Sequence, residues 1–184
     1  WALEAGAIVL ANKGILCLHP SAEILFDNQI VKIESLFDQS RAKLGKQGNE
    51  VIEYHDLVGV VPTFKIDDLS IVSGESAKIR RKKYQGKILT LKFRSGFFLK
   101  LTPDHKLLDG SNIEWKDAQY FKTGEKVIAL EEITSEVTDK EISKTQIEEI
   151  IKRDHFLDEI IDISKEDYAG YVYDLYVPDT NNFI

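Results

Sequence analysis

From residue 17 onward the chain is patterned mainly in short runs that alternate apolar and polar positions. They fall at residues 22–26, 57–64, 68–72, 78–84, 87–93, 97–102, 126–130, 160–164 and 170–177, and each has the period of two that belongs to a strand. Many strands at short spacing predict an all-β body. The runs at 87–93 and 97–102 flank Arg94-Ser95-Gly96, a compact turn with a glycine able to take positive φ. A β-hairpin is therefore expected, delivering the chain into Thr102-Pro103-Asp104-His105. Two stretches keep a helical period instead: 30–44, apolar at Ile30, Ile33, Leu36, Phe37 and Leu44, and 142–157, apolar at Ile142, Ile147, Ile150, Ile151 and Leu157. They predict one early amphipathic helix and one helical insertion at about 132–158. The acidic stretch 131–141 reads as a mobile surface connection. Residues 1–16 are small and aliphatic, with a strand candidate at 7–10, and read as a leader foreign to the body.

Length and charge narrow the picture. The 184 residues allow one domain plus a short appendage. Lys and Arg number 24 against 31 Asp and Glu, a net charge of −7, which argues against neutralising phosphates or anionic lipid as the main activity. No apolar run approaches the roughly 20 residues of a membrane span, and the first residues lack a signal-peptide pattern, so a soluble cytoplasmic protein is expected. There is no methionine and the chain begins at Trp1, so upstream sequence is expected to be missing.

The candidate chemistry starts at the single cysteine, Cys17, which stands where the leader composition ends. One cysteine excludes an internal disulfide and leaves either packed filler or a reactive thiol. Alternation in 170–177 sets Tyr171, Tyr173, Leu175 and Val177 on one face and Val172, Asp174 and Tyr176 on the other, with Asp174 either facing solvent or facing a site. Of the other histidines, His19 reads as a local turn residue, His55 has no chemical partner nearby in sequence, and His155 falls in the second predicted helix. None has metal-ligand spacing. The basic run Lys78, Arg80, Arg81, Lys82 and Lys83 reads as a solvated strand edge rather than a nucleic-acid contact.

Three blocks then stand in order: Cys17-Leu18-His19-Pro20 leading into Ala22-Glu23-Ile24-Leu25-Phe26; Thr102-Pro103-Asp104-His105-Lys106-Leu107-Leu108 behind the hairpin; and Tyr171-Val172-Tyr173-Asp174-Leu175-Tyr176-Val177-Pro178 shortly before Asn182-Phe183-Ile184. Together they resemble the splicing blocks of inteins, self-excising domains of the Hint fold related to hedgehog autoprocessing domains. The leader run 3–15, LEAGAIVLANKGI, is similar to the strand that precedes the Walker B acids in MCM replicative helicases. In that family an acidic pair follows, whereas here the chain meets Cys17.

The resemblance implies an all-β Hint fold of pseudo-twofold character over residues 17–184, with residues 1–16 as an N-extein and Leu16–Cys17 as the scissile bond. It implies a self-catalysed, single-turnover rearrangement with no cofactor and no metal, acting on the chain's own flanking exteins. No nucleic acid or membrane is needed, and a monomer is expected. Cys17 sulfur would attack the Leu16 carbonyl and convert the amide to a thioester. His105 is the expected general acid for the departing nitrogen. Thr102, three residues earlier, would hold the scissile carbonyl or the imidazole through its hydroxyl. Asp174 would deprotonate or orient the cysteine.

The sequence departs from the family at its end. The last splicing block of inteins runs into a His-Asn pair and a Cys, Ser or Thr, whereas this sequence stops after Phe183-Ile184, so a splicing domain lacking its C-terminal end is expected. Asn181 stands where the family often has a histidine, and neither Asn181 nor Asn182 takes the terminal asparagine's part. About 65 residues separate His105 from Tyr171, too few for the homing endonuclease that many inteins carry there, so the resemblance implies a mini-intein. The rival readings are a hedgehog-like domain that releases its N-terminal partner to an external nucleophile, and an inert β-domain fused to a helicase fragment.

Overall fold

A computed structural model describes residues 8–9, 11–12, 17–27, 29–65, 70–130, 157–178 and 182–183. The elements in chain order are β1 (Ile8–Val9), β2 (Ala11–Asn12), β3 (Glu23–Phe26), β4 (Gln29–Lys32), β5 (Lys43–Gln47), β6 (Glu50–Lys65), β7 (Ser70–Phe93), β8 (Phe98–Leu101), β9 (Lys106–Leu108), β10 (Trp115–Asp117), β11 (Lys126–Leu130), β12 (Leu157–Tyr176) and β13 (Asn182–Phe183). The main sheet runs β1-β11-β12-β7-β6-β5 with β8 against β7, and a second sheet runs β10-β9-β2-β13.

The all-β expectation holds, but several runs that read as separate short strands fuse. The runs at 78–84 and 87–93 lie in one strand, β7, of 24 residues. Those at 160–164 and 170–177 share β12, of 20 residues, which extends to Tyr176. These two strands pair antiparallel from Ile160 opposite Phe93 to Tyr176 opposite Lys78, interrupted by one bulge at Ile160/Asp162. Gly86 and Gly170 do not break the strands, because each is covered by an aromatic ring. A Cβ at Gly86 would collide with the Tyr84 ring, and one at Gly170 with the Tyr168 ring. Tyr84 lies opposite Gly170 and Tyr168 opposite Gly86. Each tyrosine hydroxyl donates to the carbonyl three residues on, Tyr84 to Lys87 at 3.0 Å and Tyr168 to Tyr171 at 2.8 Å. The ladder thus carries a local twofold.

The expected hairpin is present. Leu89 pairs with Leu101 and Leu91 with Leu99, and Gly96 turns the chain at φ 91°, in the left-handed region that glycine occupies at low cost. Along β7, β8 and β12 the inward side chains Ile79, Leu89, Leu91, Phe93, Leu101 and Leu175 meet in the core, each at 1% exposure or less. Each such burial stabilises the fold by roughly 1.5–3 kcal/mol.

The early helix expected over 30–44 does not form. Residues there make β4, two 3-10 turns at Ile33–Leu36 and Gln39–Arg41, and β5. Of the supposed apolar stripe only Ile33 is buried, while Ile30 is 38% and Leu44 76% exposed. The β-branched pair Ile30-Val31 is suited to a strand and pairs with Leu25 and Ile24 of β3. Asp38 then breaks the period, its carboxylate accepting from Ser40 N–H at 2.9 Å and from Ser40 hydroxyl at 2.7 Å. The helical insertion, the acidic connection and His155 lie outside the described residues except at Leu157 and Asp158, which open β12 rather than close a helix.

The basic run is not an edge either. At 78–81, β7 is flanked by β6 and β12, and the cations are paired within the sheet: Lys78 with Asp56, Arg80 with Asp174, Arg81 with Glu53, and Lys82 with Glu50.

Candidate active site

Cys17 enters the fold beside the end of β12 and the turn after β8. Its N–H donates to Tyr173 O at 3.1 Å, and the next N–H, of Leu18, donates to the same oxygen at 2.9 Å. Tyr173 N–H returns a bond to Leu18 O at 2.8 Å, and Thr102 N–H donates to Cys17 O at 2.8 Å. The backbone at Cys17 is therefore held from two sides before any side chain is considered. His105 N–H closes the turn onto Thr102 O at 3.1 Å, and its own carbonyl accepts from Ala118 N–H at 2.7 Å. A tight Thr-Pro-Asp-His turn at the hairpin's exit thus aims the imidazole inward.

Cys17 Sγ and His105 Nδ1 are hydrogen-bonded, with both residues buried. Burial, reinforced by Asp174 and then Asp104, raises the Cys17 thiol well above its ordinary value, while Lys82 and Arg80 pull the other way. Burial lowers His105 to about 4, against the pull of Asp104. The resting pair is thus a thiol donating S–H to a neutral imidazole, with the ring proton on Nε2. Among the described residues, the buried side-chain polar atoms lacking a hydrogen-bond partner are His105 Nε2 and Arg80 Nε. Both belong to this site.

Asp174 is buried, so the solvent-facing alternative is overturned. Alternation along β12 continues, but both faces are covered here. Burial raises the Asp174 carboxyl to about 7, opposed by Arg80 and by the Leu175 N–H. Arg80 binds it directly, with side-chain exposures of 14% and 4%.

Thr102 departs in part from expectation. Its hydroxyl donates to Asp104 Oδ1 at 2.5 Å and not to the imidazole. Its main chain bonds to both Cys17 and His105, and Leu16, whose carbonyl was the expected point of attack, lies outside the described residues. His19 is the local turn residue expected, its Nδ1 2.8 Å from Ser21 Oγ. His55 is buried with both ring nitrogens used: Nε2 accepts from Asp38 N–H at 2.8 Å and Nδ1 donates to Asp56 O at 3.1 Å. No three His, Cys, Asp or Glu side chains converge as metal ligands among the described residues.

Sequence reasoning missed Arg80 and the Tyr173 carbonyl. The carbonyl leaves no trace in side-chain identity. The spacing Lys78, Arg80, Lys82 did hold a signal, since three cations on one strand face need partners if that face is covered.

The family described as "Intein splicing domain" matches residues 24–184. Among solved structures, the PabCDC21-1 intein is similar at a TM-score of 0.65 and 17% identity, over 93% of this chain and 95% of that one. The TvoVMA intein gives 0.64 and 20%, over 95% and 92%. A KlbA intein precursor from Methanococcus jannaschii gives 0.64 and 22%, over 94% and 88%. At such identities the structures establish the fold. No curated protein matches the sequence. The family match spans most of the chain, from the first strand of the body through the last described one, and on that ground the chain belongs to the intein splicing-domain family.

Proposed function

We propose that this chain performs the first step of protein splicing at the Leu16–Cys17 bond, an N-to-S acyl shift. Cys17 Sγ attacks the Leu16 carbonyl carbon, a C–S bond forms, and the C–N bond breaks with the electron pair leaving on the Cys17 nitrogen. The thiol proton passes to His105 Nδ1 as attack proceeds. From there it goes to the departing nitrogen, so that Cys17 ends with a free amine and a thioester to residues 1–16. His105 changes role between these moments. It is neutral at pH 7, so it can receive the proton, and the same buried setting that lowers its basicity makes it a strong acid once protonated. Moving a proton from a raised thiol to a lowered imidazole is uphill, so the transfer is coupled to S–C bond formation.

The hydrogen bond between Cys17 Sγ and His105 Nδ1 carries this reading. Thr102 keeps the two side chains in register through its main-chain bonds, and Asp174 acts as a second acceptor or orienting charge for the thiol. Splicing of this kind is a single turnover on the chain's own flanking segments, as a monomer and without a nuclease domain. The segment 1–16 is read as the N-extein of a host similar to an MCM replicative helicase, on the run LEAGAIVLANKGI.

The test is incubation with dithiothreitol, which intercepts a thioester. Residues 1–16 should be released from the wild type and not from Cys17→Ala. Equal release from both would remove Cys17 as the nucleophile.

A further inference from the structure

We propose that Arg80 is a positioning residue of the splicing site: paired across the β7–β12 ladder with Asp174, it holds that carboxyl by direct contact and fixes the peptide that receives the Cys17 N–H. The inference rests on the reading of Cys17 as nucleophile and adds a residue to it.

The geometry carries it in three parts. Asp174 lies directly opposite Arg80 in the register, and the guanidinium Nη2 donates to Asp174 Oδ2. The same peptide group that supplies the Tyr173 carbonyl, accepting from both Cys17 and Leu18 N–H, also bears the Asp174 nitrogen. A side chain tied down at Asp174 therefore restrains the carbonyl that aligns the scissile nitrogen. Finally, the guanidinium is confined, lying 5.2 Å from the Tyr176 ring centroid with its buried Nε–H unpartnered among the described residues. A cation kept only for stability would be expected to spend its donors, because a buried unpaired donor is costly and a buried ion pair by itself contributes little over an apolar pair. Arg81, one residue on, is held more fully: Glu53 takes its Nε and Nη2, and Phe37 and Tyr171 each lie with ring centroids 4.1 Å from its guanidinium carbon.

Electrostatics gives the consequence. A carboxyl this buried is pushed toward its neutral form, and Arg80 offsets that push, leaving Asp174 titrating at about 7. The charged and titratable groups around Asp174 and Cys17 are Arg80 and Lys82 of β7, Asp104 and His105 of the turn after β8, and Tyr176 of β12, with Tyr54 of β6 in the Arg80 cross-strand row. Arg80 is the one among them in direct contact with the carboxylate.

The experiment is the pH–rate profile of dithiothreitol-induced release of residues 1–16 in the full chain. Arg80→Met should move the rising limb to higher pH by about one unit or more, Arg80→Lys should keep its position while lowering the rate, and Arg80→Met should cause no shift in an Asp174→Asn background. A profile of Arg80→Met that is slower but unshifted, or a shift that persists without Asp174, would overturn the proposal in favour of a structural role. Should Arg80→Met fail to fold, the carboxyl carbon of Asp174 is titrated by NMR in Cys17→Ala and in Cys17→Ala/Arg80→Gln. A titration that moves to higher pH when Arg80 is replaced supports the proposal, and one that stays in place contradicts it. Absence of leader release from the wild type would sink the nucleophile reading instead, and the carboxyl titration still decides the part assigned to Arg80.

Discussion

Two buried histidines separate structure from chemistry in this molecule. His55 and His105 are 2% and 1% exposed, yet His55 spends both ring nitrogens on backbone partners that pin the 3-10 turn at Gln39–Arg41 to β6. His105 has one nitrogen on the only thiol in the chain and the other without a partner among the described residues. A fully partnered imidazole can hold a fold together, but has no lone pair free for a proton in flight. The half-partnered one is poorly placed for stability and well placed to exchange a proton.

The largest expected effect breaks that contrast from the chemical side. His105→Ala should slow thiol-induced leader release by about 100-fold or more while a thermal melt shifts only modestly. A loss of fold with no separable kinetic defect would make His105 a second His55. Next comes Asp174→Asn, which should slow release at pH 7 by less than the histidine change and recover partly at higher pH, where thiolate forms unaided. A pH–rate profile identical to wild type would take Asp174 out of the reaction.

From the structural side, His55→Ala leaves Asp38 N–H and Asp56 O without their ring partner. It should cost about 1–3 kcal/mol in denaturant unfolding, with the release rate of the folded fraction unchanged. A matching kinetic loss would erase the distinction.

The smallest effect is one of linkage. The folded pKa of His105, about 4, lies below its unfolded value of 6.5, so between these pH values the unfolded chain binds a proton that the folded chain refuses. Stability attributable to this group is intact above pH 6.5 and falls as pH drops toward 4, by on the order of 1 kcal/mol per pH unit at most. Asp174 has the opposite sign, because its folded value of about 7 makes the folded state the better proton binder above pH 3.8. Comparing wild type with His105→Ala in melts at pH 7 and pH 4.5 isolates the histidine: the variant should lose less on acidification, and equal losses would mean the ring is accessible to protons.

How much of this was legible depends on the range over which each feature is encoded. The hairpin before Thr102 and the aim of His105 were readable because turn chemistry is local: Gly96 and the Pro103-Asp104 step act within a few residues. The early helix misled because Ile30, Ile33 and Leu36 keep a helical interval that says nothing about Ile30 being paired to Leu25 across a turn. The continuity of β7 through Gly86 was hidden for a related reason, since a glycine reads as a break until the Tyr84 ring over it is known. Arg80 and Arg81 look alike in sequence. Only the register with β12 and β6 assigns one to Asp174 and the other to Glu53.

The central claim, that Cys17 and His105 convert the Leu16–Cys17 amide to a thioester, is tested most directly by trapping that thioester. Hydroxylamine attacks thioesters far faster than amides, and should release residues 1–16 ending in a Leu16 hydroxamate, identified by mass. The account predicts this fragment from the wild type, little of it from His105→Ala and none from Cys17→Ala. The same hydroxamate at wild-type rate from Cys17→Ala, or none from a folded wild type, would contradict it.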